Sequence, residues 1–242
     1  MADLAAGGEK SGAARAAHVG EGHGASAVPV IAIDGPTASG KGTVSKMVAR
    51  ALGFAYLDSG ALYRIVGLVG LEAGVNLDDG AELARIAFAL RPDFLHDRIK
   101  LNGRDVTDAI RREDVGQAAS RVAAVPELRA ALLDLQHRQR RAPGLVADGR
   151  DMGTVVFPDA RLKVFLQADV EVRAARRLKQ LIEKGYSAKL ADLLQSLRER
   201  DLRDASRDCA PLAAAEDAKV LDSTALTAEE VAAQVLEWYR RT

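Results

Sequence analysis

Apolar residues along the chain gather into short runs, each closed by a polar or turn residue and most followed by a stretch with helical periodicity. Val30-Ile31-Ala32-Ile33 ends at Asp34-Gly35 and precedes a helical pattern from Gly42 to Leu52. A short run bounded by turn residues and followed by a helix marks a buried parallel strand feeding a crossover. The unit recurs. Phe54-Ala55-Tyr56-Leu57 ends at Asp58, with a helical stretch from Ala61 to Leu71 behind it. Leu145-Val146-Ala147 ends at Asp148, Leu162 to Leu166 leads into a helix starting near Val170, and Val220-Leu221 ends at Asp222. Thr227-Ala228-Glu229-Glu230 opens a last helix that carries Val231, Val235 and Trp238. Five strands alternating with helices predict an α/β fold with a doubly wound, five-stranded parallel sheet.

Two stretches depart from the alternation. Between residues 75 and 141, Phe94 to Leu101 and Asp105-Val106 flank Asn102-Gly103, a hairpin signal. Helical segments lie on either side, the later one from Val125 to Arg141. This region reads as an inserted α+β subdomain over the C-terminal ends of the strands, where such sheets bind ligands. Residues 1–27 are rich in Ala and Gly, with His18 and His23 among them. They lack the apolar core of a signal peptide, and Asp3, Glu9 and Glu21 argue against a transit peptide. A flexible tail is expected there, with one domain from 28 to 242.

Charge and composition narrow the function. Lys plus Arg is 34 and Asp plus Glu is 34, so the net charge is zero. Neither nucleic acid nor an anionic membrane is expected as a partner. A single cysteine, Cys209, closes no internal disulfide and forms no metal-ligand pair, consistent with a cytoplasmic setting. No apolar run approaches the roughly 20 residues that cross a bilayer.

The candidate chemistry begins after the first strand. Gly35-Pro36-Thr37-Ala38-Ser39-Gly40-Lys41-Gly42-Thr43 follows a strand and opens a helix, the context of a phosphate-binding loop for ATP. Glycines let the backbone N–H groups point inward, the helix N-terminus adds positive potential, and Lys41 supplies a mobile cation. Gly42 stands where Ser or Thr usually follows the lysine, and Thr43 comes one place later. Arg200, Arg203, Asp204 and Arg207 recur along one helical face behind Leu193 and Leu197, and Arg173, Arg176 and Arg177 repeat the spacing upstream. Planar guanidiniums suit the equatorial oxygens of a phosphoryl group in transfer. Asp148 closes the third strand within Asp148-Gly149-Arg150-Asp151-Met152-Gly153, where a carboxylate can face Mg²⁺. Thr43 and Asp148 are the candidate Mg²⁺ residues, directly or through water.

From Val30 to the C-terminus the chain resembles the bacterial cytidylate kinases. The resemblance rests on Asp34-Gly35-Pro36, the Gly-Lys-Gly-Thr loop, Leu57 to Arg64, Ala147 to Ala160, Glu199-Arg200-Asp201, Arg203-Asp204, Ala210-Pro211-Leu212 and Leu221 to Thr224. It implies a monomeric enzyme that moves the γ-phosphoryl of ATP, with Mg²⁺, onto CMP or dCMP. It also implies that Ser59, Tyr63, Arg64, Arg150, Arg200, Asp204 and Arg207 surround the acceptor's ribose and phosphate, with Lys41, Arg150, Arg200 and Arg207 carrying catalysis. Ser120, Arg129 and Asp151 would read the base, and Arg173, Arg176 and Arg177 would lie at or near a lid over ATP, at 173–190. A carboxylate such as Asp151 accepts from the cytosine amine and repels the carbonyl of uracil. The residues alone leave open a kinase of the same architecture acting on UMP or another small acceptor, and a non-catalytic nucleotide-binding module.

Overall fold

In the computed structural model residues 28–95, 98–183 and 185–242 are described; the tail expected at 1–27 lies outside them. The chain runs β1 (Val30–Asp34), α1 (Lys41–Leu52), β2 (Ala55–Asp58), α2 (Ser59–Glu72), α3 (Gly80–Ala89), β3 (Pro92–Leu95), β4 (Arg98–Leu101) and β5 (Arg104–Asp105). It continues through α4 (Glu113–Val122), α5 (Pro126–His137), β6 (Leu145–Gly149), β7 (Leu162–Gln167), α6 (Val170–Glu183), α7 (Leu190–Ala205), β8 (Lys219–Asp222) and α8 (Ala228–Arg241).

Five strands form a parallel sheet in the order β2-β6-β1-β7-β8. The chain winds from the central β1 to the β2 edge, returns through β6 beside β1, and then steps outward through β7 and β8. The order therefore reverses at β1, and the crevice beyond such a reversal is where doubly wound sheets bind ligands. Alternation along the strands feeds two layers. Ile31, Ile33, Val146 and Val164 pack with Val44 and Val48 of α1 and Val231 and Val235 of α8. Val30, Ala32, Leu145 and Ala147 face the other way, toward Leu62 and Ile65 of α2, Val115 and Val122 of α4, and Leu128 and Leu132 of α5. The helices between residues 75 and 141 thus share one apolar core with the main sheet.

Several boundaries follow from local chemistry. Asp58 and Asp79 accept backbone N–H groups at the starts of α2 and α3, and Thr227 with Glu230 forms a reciprocal capping box on α8. The helix read from Val125 to Arg141 stops at His137, and Arg140 beyond it turns aside to Val28 O and Asp159. The stretch from Phe94 to Leu101 is not one strand. It divides between β3 and β4, which pair antiparallel, and Asn102-Gly103 joins β4 to the short β5 with both residues at positive φ. Residues 96 and 97 lie outside the described set. No helix among the described residues is long and apolar enough to cross a membrane.

Candidate active site

The phosphate loop leaves β1 at Gly35, where φ is +151° and a Cβ would stand 2.1 Å from the carbonyl oxygen of Leu166. Only glycine fits there. The loop closes on Gly40, left-handed at φ 95°, and α1 begins at Lys41. Lys41 is buried; its Nζ donates to Pro36 O at 3.0 Å and lies 4.0 Å from Asp148 Oδ1. Burial and the neighbouring Arg150 cation lower its proton affinity, and Asp148 opposes them. Asp148 is also buried and accepts from Tyr56 Oη at 3.2 Å. Parallel pairing sets Asp58 of β2 level with Asp148 of β6. A Cβ on Gly42 would stand 3.1 Å from Asp148 Oδ2, so a larger residue there would crowd the carboxylate.

Below the loop, Asp34 accepts the N–H groups of Met152 and Gly153, both at 2.8 Å, and fastens the segment after β6 to the end of β1. Burial pushes its carboxyl up to about 7 against those two hydrogen bonds. The segment so held presents Arg150 and Asp151.

Ser59, Tyr63, Ser120, Arg129, Arg150, Asp151, Arg200, Asp204 and Arg207 line one cleft beside the loop. Arg129 and Asp151 form a buried ion pair, with the guanidinium 5.9 Å from the Tyr63 ring centre. Arg150 donates through Nε to Asp204 Oδ2 at 2.9 Å and through Nη2 to Thr37 Oγ1 at 2.5 Å. Ser120 Oγ is 3.4 Å from Asp204 Oδ1. Burial favours the neutral form of Asp204, but Arg150, Arg200 and Arg207 outweigh it and hold the carboxyl below the usual range. Arg200 Nε and Arg207 Nη2 are buried and have no hydrogen-bond partner among the described residues. Burial, Arg150 and Arg64 push Arg200 down to about 9. Two buried guanidinium donors without partners, in a site already crowded with cations, have the chemistry to receive an anion.

The cleft measures about 50 Å³ and shares Ser120 and Arg207 with a hollow of about 980 Å³ bounded by α4 and the segment after α7. On the other side of the loop, Ser39, Gly40, Thr43, Arg176, Ser223 and Thr227 border a hollow of about 370 Å³.

Not every expected residue reaches these spaces. Arg64 is absent from the cleft lining and donates to Ile110 O at 2.7 Å, pinning the turn before α4. Arg207 falls beyond α7, which ends at Ala205, and Arg203 turns away to Gln117 Oε1. The common helical face expected for 200, 203, 204 and 207 is therefore broken by the end of the helix. Arg173 is buried on Asp201, Ala168 O and Thr37 O. Arg176 holds Ser39 O and Ser223, and Arg177 reaches Arg111 O and Glu113. Thr43 borders the second hollow, whereas Asp148 faces Tyr56 and Lys41. Tyr56 and Asp34 escaped the sequence reading as site residues. The Asp that ends β1 was a local signal for the second; the first depends on strand register.

Comparison with known proteins bears on this geometry. A family model described as cytidylate kinase matches residues 31–241. The cytidylate kinase of Polynucleobacter asymbioticus is 56% identical over 215 residues, covering 89% of this chain and 98% of that protein. That of Bordetella bronchiseptica is 58% identical over 216 residues, covering 89% of this chain and 97% of its own. An uncharacterized protein from Eubacterium ventriosum superposes with a TM-score of 0.51 at 8% identity, covering 88% of this chain and 99% of that one, a likeness of fold.

Proposed function

The chain belongs to the cytidylate kinase family, and we propose that its cleft transfers the γ-phosphoryl group of ATP to CMP or dCMP, yielding ADP and CDP or dCDP. The observation that carries the assignment to these residues is the pair of buried, unpartnered donors on Arg200 and Arg207, beside a phosphate loop and a buried Arg129–Asp151 pair.

The acceptor phosphate has a second pKa of roughly 6 and is largely dianionic near neutral pH, so it attacks without a general base. The protein's task is position and charge. Lys41 leaves Pro36 O for the β- and γ-phosphates in the loop; Arg150, Arg200 and Arg207 hold the acceptor phosphate in line. Asp204 keeps the cationic cluster together when no anion is bound. The Arg129–Asp151 pair meets the base: Arg129 donates to O2 and N3, and Asp151 accepts from the exocyclic amine. α6 and the turn behind it, residues 173–190, serve as the lid that excludes water from the donor side.

Mg²⁺ fits one corner of the site. Asp148 is a buried carboxylate level with Asp58, and no group of three or more His, Cys, Asp and Glu side chains that could hold a metal occurs among the described residues. Mg²⁺ bound to a nucleotide usually takes one or two protein carboxylates, phosphate oxygens of the nucleotide and several waters. Asp148 would hold it, and the ion would neutralise charge on the β- and γ-phosphates. Thr43 lines the hollow on the other side of the loop.

Coupled ADP release should be measured with ATP and Mg²⁺ against CMP, dCMP, UMP, AMP and no acceptor. Strong turnover with CMP and dCMP, and weak turnover with UMP, is expected; a mismatched buried polar pair costs roughly 1–3 kcal/mol. Equal rates with UMP would sink the base assignment and keep the kinase. Absence of stimulation by any nucleotide would overturn the acceptor altogether.

A further inference from the structure

Asp34 ends β1, the central strand, and its main chain is held on both sides, level with Gly149 of β6 and Phe165 of β7. Its side chain reaches further. The residue is 5% exposed, and each carboxylate oxygen accepts one backbone N–H: Oδ1 from Met152 and Oδ2 from Gly153, both at 2.8 Å. Those two peptide groups are also held at their other ends. The carbonyl of Asp151 accepts the N–H groups of Val155 at 2.9 Å and Val156 at 3.1 Å, and that of Met152 accepts the N–H of Phe157 at 2.6 Å. A peptide unit is planar, so holding its N–H and its C=O together fixes the plane. The two planes that follow Asp151 are therefore each fixed on both edges, one edge of each by the same carboxylate.

This grip needs an acid. Two N–H donors call for two acceptors, and an ionised carboxylate supplies both. An amide of the same shape supplies one acceptor and sets its NH₂ against the other donor. Burial and the neighbouring Asp151 and Asp148 carboxylates oppose charge on Asp34, and the two N–H groups favour it. The residues around the turn depend on the grip to different degrees. Arg150 has its own bonds to Asp204, Gly149 O and Thr37. Met152 is fully buried in the apolar core, which keeps the turn in place when a single bond is lost. Asp151 follows the peptide planes beside it, and its carboxylate meets Arg129.

We infer that Asp34 is a positioning residue for base selection: without touching the acceptor, it sets the angle at which the Asp151 carboxylate meets the base beside Arg129. The inference rests on the Arg129–Asp151 reading above.

The test is kcat/KM for CMP and for UMP, together with KM for ATP, in wild type, Asp34→Asn, Asp151→Ala and the double variant, with the fold checked by circular dichroism. Asp34→Asn should lower the CMP-to-UMP ratio by about tenfold, within the roughly hundredfold that a misplacement of about 1 Å can cost. KM for ATP should stay nearly unchanged, because the sheet holds the main chain of Asp34. In the Asp151→Ala background the same substitution should leave the ratio where it is, since the carboxylate it positions is gone. A purely structural role would lower the ratio equally in both backgrounds. An unchanged ratio in Asp34→Asn, a second fall of equal size in the double variant, or a rise in KM for ATP as large as the fall in the ratio would overturn the inference. Asp34→Ala, which removes the opposed amide donor, takes the place of Asp34→Asn if that variant does not fold; failure of both to fold would assign Asp34 to folding itself and overturn the inference likewise. Wild type without a preference for CMP would instead remove the base assignment on which it depends.

Discussion

Arg200 carries a buried Nε without a partner, beside the cations Arg150 and Arg64. A charged donor left unsatisfied in the interior opposes folding by about 1–3 kcal/mol. On the function proposed above, the side chain is kept for the acceptor phosphate. Arg200→Met, which keeps the stem's bulk, is expected to lower kcat/KM for CMP by about a thousandfold, the lower range for removing a guanidinium from phosphoryl transfer. The empty variant should nevertheless melt higher than wild type, by about 2–4 °C per kcal/mol relieved in a chain of this size. Differential scanning fluorimetry with and without CMP checks both halves: wild type should gain stability on adding CMP, and the variant should gain little. A variant that melts lower would show that Arg200 is held by the fold. At this scale the site was legible where contacts are local: the glycines, Lys41 and the Asp148–Gly153 segment stand in fixed register in the chain. Arg64 and Arg173 were not, because their partners, Ile110 O and Asp201, come from remote segments that spacing says nothing about.

The elements are set by their ends as much as by their faces. α8 begins at Thr227, whose hydroxyl accepts the Glu230 N–H at 3.2 Å while the Glu230 carboxylate takes the Thr227 N–H at 2.8 Å. Two otherwise orphaned donors are satisfied, and the helix then buries Val231 and Val235 against the sheet. Thr227→Ala should destabilise the protein by about 1 kcal/mol. Its melting temperature should fall by about 2–4 °C, with kcat for CMP unchanged. A large loss of activity would mean that α8 shapes the donor side, which Thr227 borders. The parallel strands were readable from sequence because each is a continuous apolar run ending in a polar residue. The meander of β3, β4 and β5 was read less well, since Phe94 to Leu101 mixes apolar and polar residues with no turn signal, and its division depends on antiparallel pairing.

Across the whole molecule the 34 basic and 34 acidic side chains cancel, yet they are not evenly mixed. Lys41, Arg129, Arg150, Arg200 and Arg207 converge at the C-terminal end of the sheet against Asp148, Asp151 and Asp204, giving a local cationic excess inside a neutral protein. Sequence totals could not show this, because the cluster is assembled from the start of α1, α5, the end of β6 and the turn after it, α7 and the segment behind it. A field confined to a cleft draws a small dianion, and it is sensitive to salt where the ligand enters from water. The Debye length shrinks from about 10 Å at 0.1 M to about 3 Å at 1 M. Raising NaCl from 0.05 to 0.5 M should therefore increase KM for CMP several-fold, while kcat, set after water has been excluded, changes little. Over the same range the empty enzyme should become more stable, because screening relieves the repulsion among its guanidiniums. Steady-state kinetics and melting curves at matched salt would test the pair of effects. Constant KM together with a constant melting temperature would mean that the carboxylates already neutralise the cleft, and Arg200 would then need another reason to stand unpartnered inside it.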